Sequence, residues 1–368
     1  MYPRIETIDD VLPYISHKEE FKVNHKTYGV TRDVDLIVID YMIQKEDTFD
    51  SPQARECRGI KFWPDGTLAS RPLAKFANKS EWPEMEKKYF TPDYRIFEKI
   101  DGSMITFVPI GGQLRAMTKA GITEVSELCE REVEFHPDFW SALQDILDCG
   151  LTPIFEFTSP NNRIVIPYKK PELTLIAVRD NVTGEYQPLD DYAAVLHVPR
   201  VKEYTNITLD DVREWVDREG VVLVWDSGYR IKCKADDYLL KHKTKDQLSQ
   251  EKNVLEFVID DKVDDLAGIL DSDDFNRVKT YKNGVLDRIQ EKALMIHGLV
   301  DDLSHLERRD VAKFVTQNLE KPEQSCFWQA YGGKDPRVAI CELIKKNLTS
   351  QTRIDNIRCL VGEKWDVY

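Results

Sequence analysis

The sequence predicts an α+β fold in which an antiparallel-sheet domain is followed by a smaller all-helical domain. Short runs rich in Val, Ile, Phe and Tyr recur through the first two-thirds of the chain, often punctuated by Gly, Pro, Asn or Asp. Near residue 245 the apolar spacing changes to a helical period that persists almost throughout the rest. At 368 residues the chain exceeds one small core, which suggests two domains, 1–245 and 246–368.

The β-like runs cover residues 35–41, 57–63, 95–100, 105–110, 152–158, 173–178, 221–225 and 229–234. Gly111-Gly112 reads as a hairpin turn. Helical patterns intrude at 123–149 and 209–218, each with a Thr or Asp-rich start suited to capping. Beyond residue 245 an amphipathic stripe runs over 275–293, with Val278, Tyr281, Val285, Ile289 and Leu294 as its apolar positions. Stretches 311–319 and 338–348 look similar.

Composition narrows the function classes. With 42% hydrophobic residues and 10% aromatics the chain should fold. No run of about 18 apolar residues occurs, so no membrane span is expected. The segment from Met1 to Glu6 turns acidic without an apolar core, unlike a secretory signal. Seven cysteines stand singly, with no CxxC pair, which argues against a disulfide framework and a zinc site and points to a reducing, cytoplasmic setting. The net charge of −14 argues against a nucleic-acid binder, yet an acidic protein can still present one basic groove.

The sharpest local feature is Glu98-Lys99-Ile100-Asp101-Gly102-Ser103, a lysine closing a β-like run before a tight Asp-Gly turn. Gly102 would admit a ligand close to the backbone, because glycine tolerates positive φ and has no side chain. A lysine becomes a nucleophile only when its proton is made easier to lose, by desolvation or a neighbouring cation. The bland alternative is a hairpin with a solvated lysine. Upstream, Arg58, Arg71 and Lys75-Phe76 lie around β-like segments. Glu156, between Phe155 and Phe157, should face away from both. Glu219-Gly220 opens another strand, and period-two alternation directs Arg230, Lys232 and Lys234 to one face. Taken singly, Glu156 reads better as a strand glutamate paired with an arginine, and the lysines as a solvated edge.

The order of these motifs resembles the covalent nucleotidyltransferases: DNA ligases, RNA ligases and messenger-RNA capping enzymes. Lys99-Ile100-Asp101-Gly102, Phe155-Glu156-Phe157, Glu219-Gly220 and Lys232-Cys233-Lys234 match the family's nucleophile, acidic, E-G and K-x-K motifs in sequence. Within that group the chain is similar to the family of RNA ligase 1 of bacteriophage T4. Further matches are Glu56-Cys57-Arg58-Gly59-Ile60, Ala69-Ser70-Arg71-Pro72, Lys75-Phe76, Thr118-Lys119, Asn162-Arg163-Ile164-Val165 and Thr183-Gly184-Glu185-Tyr186. The likeness is specific over about 55–245.

The resemblance implies an ATP-dependent RNA ligase whose first domain is an adenylyltransferase and whose helical domain confers RNA specificity. Lys99 would attack the α-phosphate of ATP, AMP would pass to an RNA 5′-phosphate, and a 3′-hydroxyl would then seal the ends. Lys232 and Lys234 would meet the charge on the α-phosphate with magnesium as partner. Glu156 would bind the ribose, and Glu219 would organise the metal or the nucleotide. Arg58, Lys75 and Lys119 would lie near phosphates. Phe76 would stack beside the nucleotide or serve as plain core. Asp101, Gly102 and Gly220 complete the expected nucleotide contacts. RNA, with cleaved tRNA as one candidate in a phage-type repair role, is the expected partner of a monomeric protein. A DNA ligase, a GTP-dependent capping enzyme and an inactive RNA-binding relative remain as alternatives. The helical turn after the K-x-K motif, where ligases of DNA and capping enzymes append a β-barrel, counts against the first two.

Three charged stretches stay outside these motifs. Asp260-Asp261-Lys262-Val263-Asp264-Asp265 and Asp271-Ser272-Asp273-Asp274 lack calcium-loop spacing and read better as helix N-termini. Lys241-His242-Lys243-Thr244-Lys245 reads as the start of an RNA groove or as a solvated helix end.

Overall fold

The computed structural model describes residues 2–28, 35–45, 47–267 and 269–365, so Met1 lies outside the described residues. The fold is α+β, and the chain divides into two compact units, Met1–Leu239 and Leu240–Tyr368.

Three sheets build the first unit. Strands β1 (Phe21–Lys26), β2 (Leu36–Tyr41), β3 (Ile60–Phe62) and β4 (Leu68–Ser70) pair antiparallel in that order. Two strands of another sheet follow, β5 (Ala77–Asn78) and β6 (Arg95–Lys99). Next come β7 (Ser103–Ile110), β8 (Gln113–Met117), β9 (Leu151–Thr158) and β10 (Glu172–Asp180), an antiparallel sheet ordered β10-β9-β7-β8. Finally β11 (Glu203–Tyr204), β12 (Gly220–Val224) and β13 (Arg230–Lys234) complete a sheet ordered β11-β6-β12-β13-β5, whose β13–β5 edge alone is parallel.

The apolar runs explain the central strands. Leu36 to Ile39 are buried in succession on β2, as a strand covered on both faces requires. Phe107, Phe139, Phe155 and Phe157 form an aromatic core between the second sheet and helices Glu124–Glu132, Phe139–Asp148 and Leu189–Leu196. Gly111 and Gly112 have φ of 59° and 79°, and they close the β7–β8 hairpin as the sequence predicts.

Some boundaries differ for identifiable reasons. The predicted helix over 123–149 is two helices, because His136-Pro137 cannot continue the first. Thr123 caps the first of them, accepting from the Ser126 amide. The helix expected over 209–218 spans only Leu209–Arg213, opened by a capping box of Thr208 and Asp211. Strand β8 contains no β-branched residue, and half-exposed β1 carries Lys22, Asn24 and Lys26, so neither announces itself in sequence.

The second unit is helical. Val278, Val285, Ile289 and Ile296 on helix Ser272–Leu303 face a core shared with Val311, Val315, Phe327, Ile340 and Ile344. Ala293 completes the stripe where the sequence reading had Leu294, which is 61% exposed: five residues past Ile289 points away, four does not. Asp271 caps that helix, accepting from the Asp273 and Asp274 amides. Asp260 instead follows the C-terminus of helix Glu251–Ile259 and pairs with Lys345 at 2.7 Å, so the N-terminus reading fails there. Lys245, in helix Asp236–Leu248, pairs with Asp274 at 2.8 Å.

Candidate active site

The register of the third sheet assembles the site. Gly220 on β12 lies opposite Lys99 on β6 and opposite Lys234 on β13. Glu219, one residue earlier and buried, accepts from Lys99 Nζ at 2.7 Å through Oε2 and meets Lys234 Nζ at 3.1 Å through Oε1. Glycine is required between them. At φ 142° a Cβ on Gly220 would sit 2.1 Å from the Cys233 carbonyl oxygen and 2.7 Å from Lys234 Cα. The close approach of β12 and β13 is thus what lets both lysines share one carboxylate.

The Asp101-Gly102 turn behaves differently from the sequence expectation. Asp101 is buried, and its carboxylate accepts from the Val165 and Ile166 amides, each at 2.8 Å, and from the Tyr238 hydroxyl at 2.7 Å. Its side chain anchors the turn and does not face the cleft. Gly102 is needed for contact, not for positive φ: a Cβ there would lie 2.4 Å from the Phe157 carbonyl oxygen. These contacts press the residues after Lys99 onto β9.

Above this layer lies a cleft of about 1060 Å³, lined among others by Arg58, Lys75, Phe76, Lys99, Glu156 and Lys232. Phe155 and Phe157 are in the core while Glu156 faces the cleft, as alternation requires. Desolvation raises the Glu156 carboxyl to about 7 against the pull of Lys99. Lys232 stands over the Phe76 ring at 5.3 Å from its centroid. Its desolvation, reinforced by Lys75, Lys99 and Arg58, lowers it to about 7. Lys75 bonds Gln44 Oε1 at 2.7 Å and lies 5.0 Å from the Tyr41 ring centroid.

Of the sequence-predicted residues, the cleft lining unites Arg58, Lys75, Phe76, Lys99, Gly102, Glu156, Lys232 and Lys234. Glu219 and Gly220 lie behind it, joined to it through the lysines. Lys119 does not line it; its ammonium pairs with Asp40 at 2.9 Å beside the Tyr41 ring. Sequence reasoning missed Tyr41 and Tyr238; it named Glu56 and Arg71 but not the fully buried group they form with Arg179. Burial would raise the Glu56 carboxyl, but Arg179 and Arg71 outweigh it and hold it at about 2. Arg71 is therefore a structural cation, and nothing in the alternation around Arg179 signalled its partner. Among the described residues, the only cluster of three His, Cys, Asp or Glu spaced for a metal is exposed His136, Asp138 and His197, none of which lines the cleft.

A family model described as RNA ligase, of the T4 type, matches residues 56–248, just over half of the chain. The chain belongs to the RNA ligase family. The matched span contains Arg58, Lys75, Phe76, Lys99, Glu156, Glu219, Lys232 and Lys234, while Tyr41 lies before it. An inferred RNA ligase of Thermovibrio ammonificans is 38% identical over 165 residues, covering 44% of this chain and 43% of the relative. An inferred bifunctional polynucleotide kinase/RNA ligase of Autographa californica nuclear polyhedrosis virus is 29% identical over 279 residues, 68% of this chain and 39% of the relative. RNA ligase 1 of bacteriophage TS2126 is 28% identical over 174 residues, 44% of each chain. The chain thus spans about two-fifths of the length of these curated relatives. Among solved structures, an archaeal ATP-dependent RNA ligase aligns with a TM-score of 0.47 at 15% identity, over 77% of this chain and 79% of that one.

Proposed function

We propose that this chain is an ATP-dependent RNA ligase that forms a covalent lysyl-AMP on Lys99 and joins 5′-phosphate to 3′-hydroxyl RNA ends. The observation that carries the reading is the Lys99–Glu219–Lys234 array at the edge of a cleft in which three further cations lack counter-charge. Among the described residues, Arg58, Lys75 and Lys232 form no ion pair, a costly arrangement unless an anion belongs there.

In the first step the Lys99 amine attacks the α-phosphorus, a P–N bond forms, and the bond to pyrophosphate breaks. Glu219, 2.7 Å from Nζ, orients the amine and is within reach as acceptor of its proton. Lys234 and Lys232 face the charge that builds on the α-phosphate, and Arg58 and Lys75 face the outer phosphates. Phe76 flanks the nucleotide, and Glu156 accepts from the ribose hydroxyls. AMP then passes to the RNA 5′-phosphate oxygen, freeing Lys99, and the 3′-hydroxyl oxygen displaces AMP. Asp101 positions the loop after Lys99.

The residues fit magnesium as an ion carried mainly by the triphosphate oxygens, with Glu219 as the carboxylate nearest Lys99 and Glu156 kept for the ribose. Both Glu219 oxygens are already ion-paired to lysines, which leaves most of the coordination to the phosphates. When bound, the ion supplies neutralising charge at phosphate oxygens. The helical unit is assigned RNA specificity, with cleaved tRNA as the first substrate to try.

The test is incubation with α-labelled ATP and magnesium, followed by a denaturing gel, beside Lys99→Ala. A labelled band present in the parent and absent from the variant is expected. No label on the parent, after pyrophosphate has stripped any bound AMP, sinks the ligase reading.

A further inference from the structure

Arg230 opens β13 two residues before Lys232, and Arg230, Lys232 and Lys234 all line the cleft. At about 3.3 Å per residue the three cations are stepped ~6.6 Å apart, so Arg230 stands ~13 Å along the strand from Lys234. Its guanidinium lies over the Tyr186 ring, 3.9 Å from the centroid. Tyr186 is braced in turn by an edge contact with Tyr2 at 5.5 Å and by Arg179 at 5.0 Å. Tyr2 donates its hydroxyl to the Gly228 carbonyl, tying the support to the β12–β13 loop.

Among the described residues the Arg230 side chain has no hydrogen bond and no ion pair, and its Nε is buried without a partner. Neighbouring cations of the cleft are already engaged, Arg4 by Glu6 and Arg200 by Asp190. A guanidinium with a buried, unmatched Nε is costly, and one held over an aromatic ring is pre-organised for an oxyanion. The cleft, about 1060 Å³, stands at the top of the roughly 300–1,000 Å³ range of small-molecule sites, large enough for a nucleotide.

We propose that Arg230 binds a substrate phosphate at the far end of the cleft, carried by the RNA 5′ end or by ATP. Arg58 and Lys75 already face the outer phosphates of ATP, which favours the RNA. The inference rests on the ligase reading and deepens it. The Tyr2–Tyr186 support makes the pair a rigid platform, not a mobile arm.

Arg230→Met and Arg230→Lys in the full chain test this in three arms: lysyl-AMP formation against ATP concentration, AMP transfer to a 5′-phosphorylated oligoribonucleotide, and binding of 5′-phosphate against 5′-hydroxyl forms. Arg230→Met should label at the parental ATP dependence, which also reports folding. Its KM for the phosphorylated RNA should rise about tenfold to a hundredfold, the worth of a charged hydrogen bond, with kcat little changed. Its preference for the 5′-phosphate form should vanish, and Arg230→Lys should recover part of both. A tenfold change in ATP dependence with parental RNA kinetics assigns the phosphate to ATP. Parental behaviour in all three arms overturns the proposal and leaves Arg230 a brace for Tyr186. If the parent itself takes no label, the ligase reading falls, and the binding arm still decides Arg230: equal discrimination by parent and variant rejects it.

Discussion

Replacing Lys232 by methionine should stabilise the protein at neutral pH while removing its proposed chemistry. Lys232 falls from the ordinary lysine value of 10.5 to about 7, chiefly through desolvation and then through Lys75, Lys99 and Arg58. The unfolded chain therefore holds this proton up to about pH 10.5 and the folded chain only to about 7. Between those values the unfolded state binds more protons, so the parent gains stability as pH rises. At about 1.4 kcal/mol per pH unit, allowing for half-protonation at pH 7, the gain between pH 7 and pH 9 is about 2 kcal/mol. Methionine keeps the bulk and lacks the proton. Its advantage over the parent should be largest below pH 7 and shrink through that window. At roughly 2–4 °C per kcal/mol, the difference in melting temperature should narrow by about 4–8 °C between pH 7 and pH 9. Melting curves of both proteins at matched ionic strength make the measurement, and labelling with α-labelled ATP should meanwhile fall. A difference that does not change with pH would refute the reasoning, because Lys232 would then be an ordinary solvated lysine.

Three other outcomes follow from the same geometry. Gly220→Ala should lower the melting temperature and cut lysyl-AMP formation at least tenfold, since the added Cβ overlaps the Cys233 carbonyl and its φ alone costs about 1–3 kcal/mol; normal labelling would contradict the shared-carboxylate geometry. Arg71→Met should destabilise by about 3–5 kcal/mol in denaturant melts, because it leaves the buried Glu56 with Arg179 alone. Glu156→Gln should gain stability over the parent as pH rises from 4.5 towards about 7, since the folded carboxyl is raised and deprotonation is what its site disfavours; a gain equal at pH 4 and pH 8 would exclude that account.

The parts of the site legible in sequence are those set by period and register. Alternation correctly separated Glu156 from Phe155 and Phe157, and correctly put Arg230, Lys232 and Lys234 together, because side-chain direction on a strand follows from counting. Lys99 and Glu219, 120 residues apart along the chain, meet only through pairing of β6 with β12, which leaves no local trace. Asp101 illustrates the converse. Its place in a motif suggested a ligand contact, but the residues that consume its carboxylate, Val165, Ile166 and Tyr238, come from two distant segments. Glu56, Arg71 and Arg179 were unreadable for the same reason: a buried ion group is specified by three separate elements, and each member alone looks like a surface charge.

The net charge of −14 seemed the strongest objection to a phosphate-binding function. The structure shows why a summed charge decides little. Many lysines and arginines are matched by nearby carboxylates, as in Lys18–Asp50, Lys45–Glu19 and Lys292–Glu323. In the cleft the matching thins: Arg4 and Arg200 are paired, but Arg58, Lys75, Lys232 and Arg230 have no ion pair among the described residues, and Lys99 and Lys234 divide one carboxylate. Cations gathered against low-dielectric walls focus their field where they converge, and a distant acidic surface is screened within roughly 8–10 Å at ordinary salt. An acidic exterior then has a use of its own, since it discourages indiscriminate binding of nucleic-acid backbone outside the cleft. On the proposed function, affinity for single-stranded RNA should therefore fall only shallowly with added salt, with a slope reflecting a few phosphate contacts near the 5′ end. A steep slope typical of an extended basic surface would place the RNA elsewhere on the molecule.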